Sequence, residues 1–200
     1  MRGRTRAVTR SPATRARDDL ARASGLPRSC RRGPVTELPA LGVDFGRVIN
    51  DASSHPSGDD TSFLQGDEDV MLATPAMKGA FHSLGRLSLV FERRVWIVSK
   101  AGARTQANTE KWLAHHDFFT ATSIPQANVR FVRRRKDKAP VCRALQITHF
   151  VDDRPQVLES LRGLVPHLYL FGPQDRSSKP GIEPVLTWEL AEAAIESSMQ

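Results

Sequence analysis

From Leu41 to the C-terminus, short apolar runs alternate with stretches of helical spacing, and this alternation restricts the fold more than any other feature. The run Leu41 to Ile49 (LGVDFGRVI) has the profile of a buried strand ending in turn chemistry. Val95 to Ser99, Val129 to Val132, Thr148 to Asp152 and His167 to Phe171 read as four further strands. Between them fall helices. Thr74-Pro75 offers an N-cap and a first-turn proline, and Met77, Phe81, Leu84, Leu87 and Phe91 follow at helical spacing. Further helices are expected over about 104–115, 139–145, 155–161 and 187–196. Such an order predicts an α/β protein, a Rossmann-like three-layer sandwich with a central parallel sheet. No internal repeat is visible.

In sheets of this kind ligands bind outside the carboxyl ends of the strands, where the winding direction reverses. The polar residues that matter should therefore stand just after strands. Asp44 stands after the first strand, Ser99 ends the second, and Asp152 and Asp153 end the fourth. Asp44 is the hardest to explain by packing, because a lone carboxylate inside an apolar run is costly to bury. The alternatives are plainer elsewhere. Asp152-Asp153 ahead of Arg154-Pro155 would also serve as a helix N-cap. Ser99 could merely finish a strand, and Lys138 could be one more cation after Arg133, Arg134, Arg135 and Lys136.

Four short signatures, in this order, resemble the haloacid dehalogenase-like hydrolase superfamily: an apolar strand ending in Asp44, an apolar strand ending in Ser99, Lys138-Ala-Pro140 opening a helix, and the acidic pair in Phe150-Val-Asp-Asp-Arg-Pro155. The resemblance covers everything except the N-terminal 39 residues. It implies that Asp44 is the nucleophile and a metal ligand, and that Asp152 and Asp153 complete an oxygen-rich Mg²⁺ site. It also implies that the backbone carbonyl of Gly46 faces the ion, and that Ser99 and Lys138 hold the phosphoryl oxygens. The expected substrate is then a small phosphorylated compound or a phosphorylated macromolecule.

This chain departs from the family's phosphatases at one position. They carry a second Asp two residues after the nucleophile, which protonates the leaving group; here that position is Gly46. General acid–base help is worth about 10² to 10⁴ in rate. Its absence argues against an ordinary phosphomonoesterase and favours a slow or specialised one, with Asp51 the nearest downstream carboxylate. The insertion after the first strand, at about 50–74, is too short to be a folded cap domain and is expected to form an irregular flap. Its acids Asp59, Asp60, Asp67, Glu68 and Asp69 would repel an anionic substrate unless they face solvent or bind a cation.

Charge and composition narrow the remaining classes. The net charge of +7 comes wholly from residues 1–40, with ten Arg against three acids; the other 160 residues balance at nineteen each. The body therefore offers no general nucleic-acid surface. Residues 1–39 hold almost no large apolar side chains and are expected to be a disordered Arg-rich tail ahead of the domain over 40–200. That tail fits an organelle transit peptide, a basic arm for nucleic acid or anionic lipid, or a segment with no role. Two cysteines, Cys30 and Cys142, exclude a disulfide framework and fit a reducing compartment, so the expected localisation is cytoplasmic, with an organelle as the alternative. No run approaches a membrane span. His115-His116 does not share a helix face and is read as no metal site, and Trp96, Trp112 and Phe118-Phe119 are read as packing.

Three functions are compatible with these observations: a Mg²⁺-dependent hydrolase, a non-catalytic relative that keeps a metal and phosphate pocket, and a nucleic-acid-associated protein docked only through residues 1–39. Self-association is compatible with all three.

Overall fold

The computed structural model describes residues 38–52, 67–173 and 179–200. The expectations for the Arg-rich tail over 1–37, for the middle of the insertion and for Asp59 and Asp60 lie outside the described residues.

Six parallel strands make one sheet: β1 (Leu41–Val43), β2 (Val95–Lys100), β3 (Val129–Val132), β4 (His149–Asp152), β5 (His167–Phe171) and β6 (Glu183–Val185). Their spatial order is β3-β2-β1-β4-β5-β6, with every neighbouring pair parallel. Seven α-helices accompany them among the described residues: α1 (Glu68–Leu72), α2 (Ala80–Val90), α3 (Ala103–His115), α4 (Phe118–Thr122), α5 (Lys138–Ala144), α6 (Pro155–Leu161) and α7 (Trp188–Ser198). The strand period of two sorts the side chains. Leu41, Val43, Ile97, Val151 and Phe171 enter one core with Leu84, Trp112, Phe118 and Trp188 from the helices of that face. Val98, Phe150, Leu168 and Leu170 enter a second core with Cys142 of α5 and Leu158 of α6. This is the predicted three-layer α/β sandwich.

Gly42 shows how tightly the second layer packs. A Cβ there would stand 2.4 Å from the Phe150 ring on the neighbouring strand, so only glycine lets that ring lie over β1. Two buried tryptophans fasten the loops at the other edge. The Trp112 indole donates to the Thr74 carbonyl at 2.8 Å, and the Trp188 indole donates to the Val48 carbonyl at 2.7 Å. Burying each ring removes a large apolar surface, worth roughly 1.5–3 kcal/mol, and the hydrogen bonds fix where the loops sit.

Local signals misled in four places. β1 ends at Val43, and the apolar residues after it form a closed loop in which the Phe45 carbonyl accepts from the backbone N–H of both Ile49 and Asn50. The helix expected at Thr74-Pro75 begins instead at Ala80, with Gly79 as its N-cap at φ 81°. The reason is tertiary: the Thr74 carbonyl is taken by Trp112, the Pro75 carbonyl accepts from Asp51 N–H, and Ala76 bridges Asn50. The stretch over 50–74 is not wholly irregular, since α1 is capped by Asp67, whose side chain accepts from Val70 N–H. α4 and β6 were not expected at all; α4 carries Phe118 into the first core. His116 Nε2 donates to the Leu72 carbonyl at 2.8 Å, so its ring ties α3 to α1. No helix among the described residues is long and apolar enough to cross a membrane.

Candidate active site

The winding of the sheet reverses between β1 and β4, which are direct neighbours. Pairing of Val43 with Val151 sets the register, so Asp44 and Asp152 leave adjacent strands at the same level. The Asp44 N–H, bonded to the Val151 carbonyl at 3.0 Å, holds the first residue of the loop against β4. Carboxylate oxygens of Asp44, Asp152 and Asp153 all lie within 4.8 Å of one another. Asp152 is 0% and Asp153 2% exposed. Three acids so close and so dry would repel strongly unless cations joined them.

Two cations do so. Lys138, at the first position of α5, is 1% exposed and stands between Asp152 Oδ2 at 2.7 Å and Asp44 Oδ1 at 2.9 Å. Burial works against its charge, but the two carboxylates outweigh burial and hold the ammonium protonated well above the usual lysine range. Arg47, at φ 59° in the loop after β1, pairs with Asp153 Oδ2. The other Asp152 oxygen accepts from the Arg154 N–H at 2.9 Å. Asp152 thus steadies the turn before α6 while facing Lys138 and Asp44, but α6 has Arg154 as its N-cap and no side-chain cap, so the plainer reading of Asp152-Asp153 as a helix cap does not hold.

The charge balance stays incomplete. Burial, then repulsion by Asp44 and Asp152, pushes the Asp153 carboxyl up to about 7 in spite of Arg47. Burial likewise raises Asp152, against the pull of Lys138. Asp44 Oδ1 and Asp153 Oδ2 are buried oxygens met by the charges of Lys138 and Arg47. An oxygen-only donor set of three clustered carboxylates fits a hard divalent cation such as Mg²⁺.

Of the other expected residues, Ser99 (7% exposed) and Gly46 line the same cleft as Asp44, Lys138 and Asp152. Asp153 is not among the lining residues, and its carboxylate pairs with Arg47. Asp51, considered as a substitute acid, donates its backbone N–H to Pro75 and is not among the lining residues. The described acids of the insertion do not line it either: Asp67 caps α1 and Glu68 pairs with Lys111 of α3.

Sequence reasoning missed two residues here. Arg47 was passed over as part of the apolar run, although a cation between Gly and Val beside an acid was a visible signal. Asn50 was assigned to the flap. It is 0% exposed and lines the cleft, and neither its Oδ1 nor its Nδ2 has a hydrogen-bond partner. A backbone bridge pairs Asn50 with Gly46, the position that lacks the second Asp.

The architecture has counterparts among solved structures. It superposes on a haloacid dehalogenase-like family hydrolase from Xanthomonas campestris with a TM-score of 0.56, at 11% identity over 80% of this chain and 95% of that one. A haloacid dehalogenase-like hydrolase from Burkholderia xenovorans LB400 gives 0.53, at 12% identity over 80% of this chain and 98% of that one. No protein-family model and no curated protein matches the sequence. The protein is thus an α/β sandwich with an acidic site at the sheet's switch point. More particularly, it has the haloacid dehalogenase-like fold.

Proposed function

We propose that the protein is a Mg²⁺-dependent hydrolase of phosphorylated compounds with Asp44 as its nucleophile. The observation that carries this reading is the convergence of Asp44, Asp152 and Asp153 within 4.8 Å around an incompletely neutralised pocket, with Lys138 between two of them. Asp44, Asp152, Asp153 and the Gly46 carbonyl would hold the ion, which supplies charge neutralisation for an incoming phosphoryl group. Asp44 attacks phosphorus, the bond to the leaving oxygen breaks, and an aspartyl phosphate forms that water then hydrolyses to free phosphate. Lys138 orients Asp44 and carries positive charge toward the phosphoryl oxygens, and Ser99 donates a hydrogen bond from the end of β2.

Gly46 shapes which substrates turn over. With no acid beside the leaving oxygen, bonds to good leaving groups break readily and alkoxides leave slowly. Asn50 can hydrogen-bond there, but an amide does not exchange a proton as a carboxyl does. The test is phosphate release from acetyl phosphate and an aryl phosphate with and without MgCl₂. Turnover that needs Mg²⁺ and vanishes in Asp44→Asn is expected. A blank screen, with metal and phosphate still bound, would leave the fold as a binding module instead.

A further inference from the structure

Asp153 is 2% exposed, and a carboxylate so dry has to be met by a cationic side chain or by a metal ion. Arg47 meets it, pairing with Oδ2. Yet the same carboxyl stands with Asp44 and Asp152, one oxygen of each residue lying within 4.8 Å of the others. Asp153 therefore faces an internal cation and also belongs to the set that would hold an ion. The two cationic side chains paired with this acidic set are held differently. Lys138 is 1% exposed and stands between two carboxylates, so its departure would strand both. The Arg47 side chain is 26% exposed, so its guanidinium can give up one partner and be hydrated instead.

The backbone beneath Arg47 points the same way. The Arg47 N–H donates to the Asn50 carbonyl at 2.9 Å, which closes the loop and fixes the main chain while the side chain extends to Asp153. Arg47 holds φ 59°, a left-handed conformation that glycine adopts freely and a residue with a Cβ does not. Glu92, Arg93, Asp117, Ser123 and Gln146, the other non-glycine residues at positive φ, all follow helix ends, where that conformation stops a helix; Arg47 follows a strand. A strained position that carries a long cation onto a buried acid marks a functional contact. We propose that Arg47 is an internal competitor for the divalent cation: it occupies Asp153 in the metal-free protein, and the ion binds by taking that carboxylate from it. Arg47 thereby sets how much Mg²⁺ the site needs before it fills. This rests on the metal-binding half of the function proposed above and does not require turnover. A guanidinium beside a divalent ion weakens its binding by about ten- to a hundredfold at the high effective dielectric of a partly solvated site.

The test is calorimetric titration of MgCl₂ into the full-length protein, in alkaline buffer so that the carboxyls are ionised. Arg47→Gly, which suits the backbone, and Arg47→Gln should each bind Mg²⁺ about ten- to a hundredfold more tightly than wild type. Arg86→Gln, which removes a charge paired with Glu192 and Glu196, should leave the affinity as it is. The gain has to pass through Asp153, so in an Asp153→Asn background Arg47→Gly should change the affinity by less than about threefold. A second readout is stability: without metal the urea midpoint of Arg47→Gln should fall below wild type, and saturating MgCl₂ should close the gap. Unchanged affinity in both Arg47 variants overturns the proposal. Weaker affinity also overturns it and would make Arg47 a support for Asp153 instead. A gain of equal size in the Asp153→Asn background overturns it too, leaving only repulsion at a distance. Mg²⁺ that binds neither wild type nor variants removes this proposal together with the metal site. Tighter binding with no phosphate release in any variant would remove the hydrolase reading alone. Mg²⁺-dependent phosphate release with equal affinities throughout would remove only the role of Arg47.

Discussion

Replacing Gly46 with Asp asks whether the rest of the site is already arranged for phosphoryl transfer. A Cβ built on Gly46 meets no atom within 4 Å, and the residue is not among those with positive φ. The side chain therefore enters open cleft without backbone strain, and the lost chain entropy of glycine should itself stabilise by about 0.4–1 kcal/mol. A fourth carboxylate near Asp44 and Asp152 would be repelled, which favours its protonated form and suits a general acid. Lys100, Arg135 and Arg154 in the same lining limit the penalty. If only the acid is missing, the gain is the usual value of general acid catalysis, about 10² to 10⁴ in rate, or roughly 3–5 kcal/mol of barrier. The assay is phosphate release with MgCl₂ from an alkyl phosphate and an aryl phosphate. The alkyl substrate should show the gain, the aryl substrate little, and Asp44→Asn/Gly46→Asp neither. A folded, Mg²⁺-binding Gly46→Asp protein that leaves alkyl phosphate turnover at the wild-type level would refute the reasoning, because the site would then lack more than an acid.

Other perturbations follow from the same geometry. Lys138→Met leaves the buried Asp152 carboxylate facing the partly buried Asp44 and should cost about 3–5 kcal/mol in chemical denaturation, with part of the loss recovered by MgCl₂; no loss would mean the ion pairs do not matter. Asn50→Leu removes two buried polar atoms that have no partner; stability should rise by about 1–3 kcal/mol while phosphate release falls, and a destabilised variant would contradict the assignment. His149 is buried against His167, with ring centroids 4.4 Å apart, and bonds to Thr148 Oγ1 at 2.7 Å and Ser198 Oγ at 3.0 Å. Burial, then the neighbouring His167, lowers its pKa from 6.5 to about 4. Between those values the unfolded chain takes up a proton that the folded one refuses, so this residue's contribution is full above about pH 7 and shrinks as pH falls toward 4. Denaturation midpoints of wild type and His149→Phe should converge over that window on acidification; a constant gap would exclude the effect.

The sequence by itself determined where strands and helices alternate and which polar residues end strands. That follows from physics that acts within a few residues: a period of two for β2 to β5, a period of 3.6 for α3, Thr187 capping α7, and Pro155 opening α6. It was enough to single out Asp44, Ser99 and Asp152 at strand ends, while Lys138 became a candidate only through the family resemblance. Where tertiary contacts compete for the same backbone groups, local signals failed. Thr74-Pro75 looks like a helix start, yet its carbonyls are claimed by Trp112 and Asp51. Only the folded sheet decided that β1 lies beside β4, because strand order depends on how helices pack across faces and leaves no periodicity in the chain. That order puts Lys138 between two carboxylates rather than in a solvated loop, turns Arg47 toward Asp153, and sets Asn50 beside Gly46. Charge, unlike hydrophobic periodicity, acts through space, so the balance of this site could be worked out only once distant residues had been brought within a few ångströms of each other.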